Sequence, residues 1–205
     1  MQGAEVVLVR HGETLWSRGG MHTGRTDIPV TEEGRRQSER VGATLRARRF
    51  AVVLTSPLQR AAETCRLAGL GEVAVLREEL MEWDYGAYEG RTTAEIRAEV
   101  PGWSLWRDAV PGGETAADVG RRVDPVIADV RAVEGDVALF AHGHVLRVLA
   151  ARWLGLPPTE GRLFALDPAT ISVLGHERET PVIRRWNEPA LGLSARRWVP
   201  PSSPA

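Results

Sequence analysis

Short β-branched runs, each followed by a stretch of helical period, constrain this chain more than any other feature. Glu5–Arg10 (EVVLVR), Ala51–Thr55 (AVVLT), Val73–Leu76 and Val137–Ala141 (VALFA) are mainly apolar, without strict polar alternation. Such runs fit strands buried on both faces, as in parallel sheets covered by helices. The segments between them carry helix signals. Thr31 heads a stretch reaching about Arg48, with Glu32 and Glu33 in its first turn and Val41 and Leu45 on one face. Pro57 begins a second helix through Leu67, and Thr92 with Glu95 forms a capping box for a short third. Thr115 caps a helix striped by Val119, Val123, Val126, Ile127 and Val130, in which Pro125 predicts a kink or a break. His144–Leu154 reads as a helix closed by Gly155, and Thr170–Leu174 with Val182–Trp186 as a hairpin. The expected fold is α/β: a three-layer sandwich with a mostly parallel central sheet and helices on both faces.

No repeat or linker divides residues 1–205, so one domain is expected. Residues 77–115 depart from the alternation. They are loop-like and hold Trp83, Tyr85, Tyr88, Trp103 and Trp106, which read as a small satellite core beneath a long loop. The terminal PPSSPA is expected to fray.

Composition removes several function classes. A net charge of −1 gives no basic field for nucleic acid or an anionic membrane. The single cysteine, Cys65, rules out an internal disulfide and a thiolate zinc cluster. All 26 basic residues are arginine, which removes Schiff-base lysine chemistry and a lysine phosphate loop. Neither a secretory signal nor a transmembrane run is visible, and the expected location is the cytoplasm.

Two of the strands end in histidine-glycine pairs: Arg10-His11-Gly12 and Ala141-His142-Gly143-His144. Ligands of open α/β sheets bind beyond the carboxyl ends of the strands, so neighbouring strands would bring His11 and His142 to one crevice. Arg10 precedes His11, and Arg60 falls in the first turn of the helix after the second strand. Histidines, arginine forks and helix-end N–H groups together suit a phosphate dianion. Taken singly, each has a plain structural alternative: a satisfied core histidine or a solvated arginine. His142-x-His144 could also begin a zinc site, but no nearby carboxylate or cysteine completes one. His22 and His176 have no supporting context, although His22 could flank the pocket.

These residues carry a resemblance. Leu8-Val9-Arg10-His11-Gly12-Glu13-Thr14 resembles the signature of the histidine phosphatase superfamily, in its phosphoglycerate-mutase-like branch. Ser56-Pro57-Leu58-Gln59-Arg60-Ala61-Ala62-Glu63-Thr64 is similar to the second motif of that family. Glu82-Trp83-Asp84-Tyr85-Gly86-Ala87-Tyr88-Glu89-Gly90 is similar to the acid-bearing third, and Ala141-His142-Gly143-His144 to the fourth. The four lie in the family's order and span roughly residues 5 to 186. The resemblance implies a phosphoglycerate-mutase-like fold with the aromatic segment over the active site. It implies His11 as nucleophile, Arg10, Arg60 and His142 as holders of the phosphoryl oxygens, and Glu82 as proton donor and then base. Asp84 and Glu89 are the competing carboxylates. Ser17, Thr23, Gly24, Tyr85 and Gly143 are implied substrate contacts, with serine standing where many mutases have asparagine.

Trp83 replaces the arginine that follows the catalytic glutamate in phosphoglycerate mutases, which argues against a second acidic group on the substrate. The paired arginines of the mutase insertion are also missing, so hydrolysis is expected over transfer. The combination of Trp16-Ser17, Trp103-x-x-Trp106-Arg107-Asp108 and Pro111-x-Gly113-Glu114-Thr115 is similar to a subgroup of acid phosphatases and sedoheptulose-bisphosphatases. The implied activity is metal-independent and cofactor-free hydrolysis of a small phosphorylated metabolite, a sugar phosphate or bisphosphate, through a phosphohistidine. A cofactor-dependent phosphoglycerate mutase and a non-catalytic phosphate-binding module are the alternatives. His144 and Arg147 are candidates for a second phosphate or for the pocket rim. A homodimer is left open, since no exposed apolar face in the sequence assigns an interface.

Overall fold

Alternation within the strands assigns the two faces of a single sheet. In the computed structural model, which describes residues 4–190, β1 (Val6–Arg10) sends Val6 and Leu8 to one face and Val7 and Val9 to the other. In β4 (Val137–Ala141), Val137, Leu139 and Ala141 join the first core, and Ala138 and Phe140 the second. The first face is covered by α5 (Ala116–Arg131) and α6 (Gly143–Trp153), the second by α2 (Glu32–Leu45) and α3 (Gln59–Leu67). This is the expected three-layer α/β arrangement. The PPSSPA segment lies outside the described residues.

The six strands run in the order β3-β2-β4-β1-β5-β6, with β2 at Val52–Thr55, β3 at Ala74–Leu76, β5 at Thr170–Glu177 and β6 at Thr180–Pro189. Strands β3, β2, β4 and β1 are parallel, β5 pairs antiparallel with β1, and β6 pairs antiparallel with β5. The chain leaves β1, crosses to β2, and only later inserts β4 between them. The switch point therefore opens at the carboxyl ends of β1, β4 and β2. Pairing continues one residue past each strand, as His11 N–H donates to Ala141 O at 2.9 Å and Ser56 N–H to Phe140 O at 2.9 Å. His11, His142 and Ser56 thus emerge side by side.

Several boundaries differ from the sequence expectation. Helix α2 stops at Leu45, and α3 begins at Gln59, with Leu58 as its N-cap. Helix α6 starts at Gly143, so His142 is its N-cap. Helix α5 passes through Pro125 without breaking. Its buried stripe, Val119 to Val130, holds the helix against the sheet. Pro125 lies on the exposed face, where water can serve the carbonyl of Arg121. A short helix unseen in the sequence, α1 (Leu15–Arg18), follows His11 and is closed by a Thr14–Ser17 capping box. The Thr92–Glu95 box is present ahead of α4 (Thr93–Glu99).

The aromatic segment does not form a satellite core. Trp83, Tyr85, Tyr88 and Trp103 are buried in the same cluster as Leu8, Leu139 and Leu149. Nor is the surface free of apolar edges. Strand β3 is short and marginal, and exposes Val75 and Leu76, with Val73 exposed just before it.

Candidate active site

The loop after β1 is shaped by Gly12. A side chain there would collide with the Gly34 carbonyl and sit 2.9 Å from Ser38 Oγ, so only glycine lets α2 approach so closely. Gly12 N–H donates to Thr64 Oγ1 at 2.9 Å, tying the loop to α3. The carbonyl of Gly12 lies 2.7 Å from His11 Nδ1. A carbonyl can only accept, so Nδ1 carries the proton and Nε2 keeps its lone pair. Burial, and then the Arg10 and Arg60 charges, hold His11 well below the usual histidine range, and the ring stays neutral.

His142 stands beside it, ring centres 5.2 Å apart. Arg60 Nε–H donates to His142 Nδ1 at 3.1 Å, which leaves the His142 proton on Nε2, directed at Ser56 Oγ at 2.8 Å. Arg60 is fully buried. Its remaining bonds go to carbonyls of one loop: Thr26 at 3.0 Å, Thr23 at 3.0 Å and Gly24 at 2.7 Å. Arg60 and His142 therefore brace each other and the 23–26 loop, beside the His11 ring. Desolvation lowers the Arg60 and Arg10 pKa values, and the Glu82 carboxylate raises them in part.

The pocket itself has a volume of about 240 Å³. Of the ten residues singled out, Arg10, His11, Glu82, Ser17, Thr23, Tyr85 and Gly143 line it, and Gly24, Arg60 and His142 are not among its lining residues. Arg10 donates to the Leu166 carbonyl, and its buried Nε has no partner among the described residues. Gly143 keeps α6 close to it: a Cβ there would lie 3.3 Å from Arg10 Cζ. Glu82 binds the start of α6. Its Oε1 accepts from Trp83 N–H and Val145 N–H, both at 2.9 Å, and Oε2 accepts from His144 N–H at 3.0 Å. Oε1 is thus saturated, and Oε2 retains one open lone-pair direction.

Two expected roles change. The Ser17 hydroxyl serves the α1 cap, donating to Thr14 O at 3.1 Å and accepting from Thr14 N–H at 2.9 Å. It can donate to a ligand only by giving up that bond. Gly24 is required by packing, since a side chain would meet Glu89 and the Trp83 carbonyl and approach Tyr85 Cδ2 at 2.9 Å. Of the competing carboxylates, Glu89 accepts the N–H groups of Gly24, Arg25 and Thr26, and Asp84 Oδ1 accepts from Gly86 N–H at 2.9 Å. Trp83, read as a substitution in the pocket, is wholly buried and donates to the Glu114 carbonyl at 2.8 Å. Its identity therefore says nothing about a second acidic group.

The structure adds residues that the sequence did not single out, or only touched on. His22, Thr93, His144, Arg147, Met21 and Leu166 line the outer pocket. His22 and Thr93 share a 3.2 Å hydrogen bond, and Tyr85 OH lies 2.6 Å from His144 Nδ1. The signal for His22 was only its place before Thr23-Gly24, and Thr93 gave none. His142 and His144 make separate bonds, and no group of three or more His, Cys, Asp or Glu among the described residues is placed to hold a metal ion.

Such a pocket takes an oxyanion and presents a neutral imidazole to its central atom, which is the chemistry of phosphoryl transfer on an α/β scaffold. Comparison with known proteins agrees. The profile of the histidine phosphatase superfamily (branch 1) matches residues 6–189, and the chain belongs to that family. It is 42% identical over 180 residues to an acid phosphatase of Mycobacterium tuberculosis, covering 84% of this chain and 86% of that one. It is 37% identical over 183 residues to the sedoheptulose 1,7-bisphosphatase of Saccharomyces cerevisiae, covering 73% and 67%. Among solved structures, a mycobacterial glucosyl-3-phosphoglycerate phosphatase in complex with VO3 superposes with a TM-score of 0.82 at 30% identity, covering 91% of this chain and all of that one. The protein is a hydrolase, a phosphatase of the histidine phosphatase superfamily.

Proposed function

We propose that this chain hydrolyses the phosphomonoester of a small metabolite, a sugar phosphate or sugar bisphosphate, in two displacements at His11 Nε2. The observation carrying this reading is the His11 Nδ1–H bond to Gly12 O at 2.7 Å, which leaves Nε2 unprotonated in a buried, electropositive pocket. In the first displacement the Nε2 lone pair attacks phosphorus and the ester P–O bond breaks. The leaving oxygen takes a proton from Glu82 Oε2. In the second, Glu82 Oε2 removes a proton from water as it attacks phosphorus. The P–N bond then breaks, releasing inorganic phosphate and restoring the lone pair.

Arg10 contributes the open Nε–H donor, and Arg60 a fixed charge held by three loop carbonyls and His142. A volume of about 240 Å³ suits a single small metabolite rather than a protein loop. The sugar-phosphate assignment also draws on the yeast and mycobacterial relatives. A pure phosphate-binding module would need Glu82 only to fasten α6, and would have no use for the open lone-pair direction on Oε2. We place the activity in the cytoplasm, with which the unpaired, buried Cys65 is compatible.

The test is hydrolysis in EDTA of p-nitrophenyl phosphate, 3-phosphoglycerate, fructose 1,6-bisphosphate, sedoheptulose 1,7-bisphosphate and a phosphopeptide. Turnover led by a sugar phosphate supports the proposal. Activity abolished by chelation, or confined to the phosphopeptide, overturns it.

A further inference from the structure

The tautomer of His11 depends on a carbonyl that belongs to a glycine. Packing against α2 demands glycine at position 12, and glycine brings with it the widest backbone freedom of any residue. The direction of the Gly12 carbonyl must therefore be fixed from outside. Three successive peptide units are tied. The His11–Gly12 unit is held through its N–H by Thr64 Oγ1 at 2.9 Å, and the Glu13–Thr14 unit through its carbonyl by Thr31 N–H at 2.8 Å. The middle unit, Gly12–Glu13, is the one whose carbonyl meets His11 Nδ1. Its N–H donates to Gln37 Oε1 at 2.9 Å.

Gln37 reaches that N–H because α2 lies against the loop. At Gly34, one turn earlier, a side chain would collide with the Glu13 carbonyl. Gln37 is partly buried there and does not line the pocket. A peptide N–H only donates, so the facing atom of the Gln37 amide is its oxygen. A trans peptide is planar, with N–H and C=O pointing opposite ways. Gln37 and the His11 ring therefore grip opposite edges of one plate. A hydrogen bond accepted from the N–H edge also polarises the carbonyl and strengthens its hold on Nδ1–H.

We propose that Gln37 is a positioning residue of the phosphatase, acting on the nucleophile through the Gly12–Glu13 peptide. It holds the carbonyl against Nδ1–H and so keeps the lone pair on Nε2, the atom that attacks phosphorus. The proposal deepens the reading above and rests on it. Without the Gln37 oxygen, the plate is free to turn about the glycine bonds. A His11 ring that loses its acceptor can carry its proton on Nε2 instead, and that tautomer has no lone pair to attack with.

The experiment compares Gln37→Met, which removes the acceptor at similar length, and Gln37→Glu, which keeps an oxygen there, with the wild-type chain in EDTA. The readouts are kcat for p-nitrophenyl phosphate, the inhibition constant of inorganic phosphate, and nitrogen NMR of ring-labelled histidines, with His11 assigned by His11→Ala. Gln37→Met is expected to lower kcat about tenfold, as loss of other groups that orient an active imidazole does. Its phosphate inhibition constant should stay at the wild-type value. Its spectrum should show protonated Nε2 at His11, where the wild type shows protonated Nδ1. Gln37→Glu is expected to recover most of kcat and the wild-type spectrum. A merely structural tie would weaken phosphate inhibition together with kcat and leave the tautomer alone. That pattern overturns the proposal, as does an unchanged kcat in Gln37→Met. If His11→Ala hydrolyses p-nitrophenyl phosphate as fast as the wild type does, the phosphatase reading itself fails, and the proposal with it. The kinetics of His11→Ala and the spectra of the Gln37 variants separate the two failures.

Discussion

His11 is kept neutral and in one tautomer by two neighbours of different kinds. The Gly12 carbonyl fixes which nitrogen carries the proton, and the buried charges of Arg10 and Arg60 keep a second proton away. Arg60 performs this from a braced position, with four of its N–H bonds going to His142 and to the loop carbonyls of Thr23, Gly24 and Thr26. An ammonium cannot span that set. Arg60→Lys is therefore expected to lower kcat/KM for p-nitrophenyl phosphate at least tenfold and to loosen residues 23–26. Steady-state kinetics with hydrogen exchange of those amides checks both, and near wild-type values would remove Arg60 from the machinery. The residue types at this scale were legible in the sequence, since two strands end in His-Gly. Which donor faces the ligand was not. Arg60 and His142 are held by partners from segments far away in sequence, and Ser17 is claimed by a helix cap that only the fold of α1 reveals.

At the scale of elements, Glu82 fastens the aromatic segment to the amino end of α6. Its carboxylate takes the His144 and Val145 N–H groups, so one residue both holds a helix terminus and faces the pocket. Glu82→Gln replaces an acceptor oxygen with a donor amide beside those N–H groups. It is expected to cost about 0.5–2 kcal/mol of stability, as other helix-cap losses do. The same variant should lose about 10²–10⁴ in rate on sugar phosphates and much less on p-nitrophenyl phosphate, whose leaving group needs little protonation. Equal losses on both substrates would remove Glu82 as the acid. The helices and strands were read largely correctly from periodicity, with errors where tertiary packing outweighed local signals. Pro125 does not end α5 because a buried aliphatic stripe holds the helix on both sides of it. Trp83, Tyr85 and Trp103 join the main core because their segment folds back onto the sheet, a long-range event that no window of sequence reports.

Over the whole molecule, four histidines sit with pKa values pushed below the usual 6.5: His11, His22, His142 and His144, each chiefly by burial. The unfolded chain takes up protons near pH 6.5, whereas the folded chain resists until lower pH. Below that point the unfolded state binds more protons, so stability is fully present above about pH 6.5 and falls as pH falls towards the folded values. Thermal melting from pH 8 to pH 5 is expected to show a level Tm above pH 7 and a steady decline below 6.5. A Tm that is flat or rising on acidification would mean that these rings are accessible to protons in the folded state. The same burial makes the site possible, because neutral histidines and underpaired arginines tolerate each other only where the topology collects them at one switch point. That convergence followed from the parallel-sheet pattern. The outer pocket followed only in part: His22 and Arg147 were candidates for its rim, while Thr93 of α4 carries no motif and reaches the pocket only through the fold.

The most direct test of the account is rapid acid-free quenching of the wild-type enzyme with phosphorus-labelled substrate, followed by mapping of the adduct. A base-stable, acid-labile phosphoryl group on His11, attached at Nε2 and absent from His11→Ala, is the predicted result. An acid-stable adduct on another residue, or full-rate turnover by His11→Ala, would contradict it.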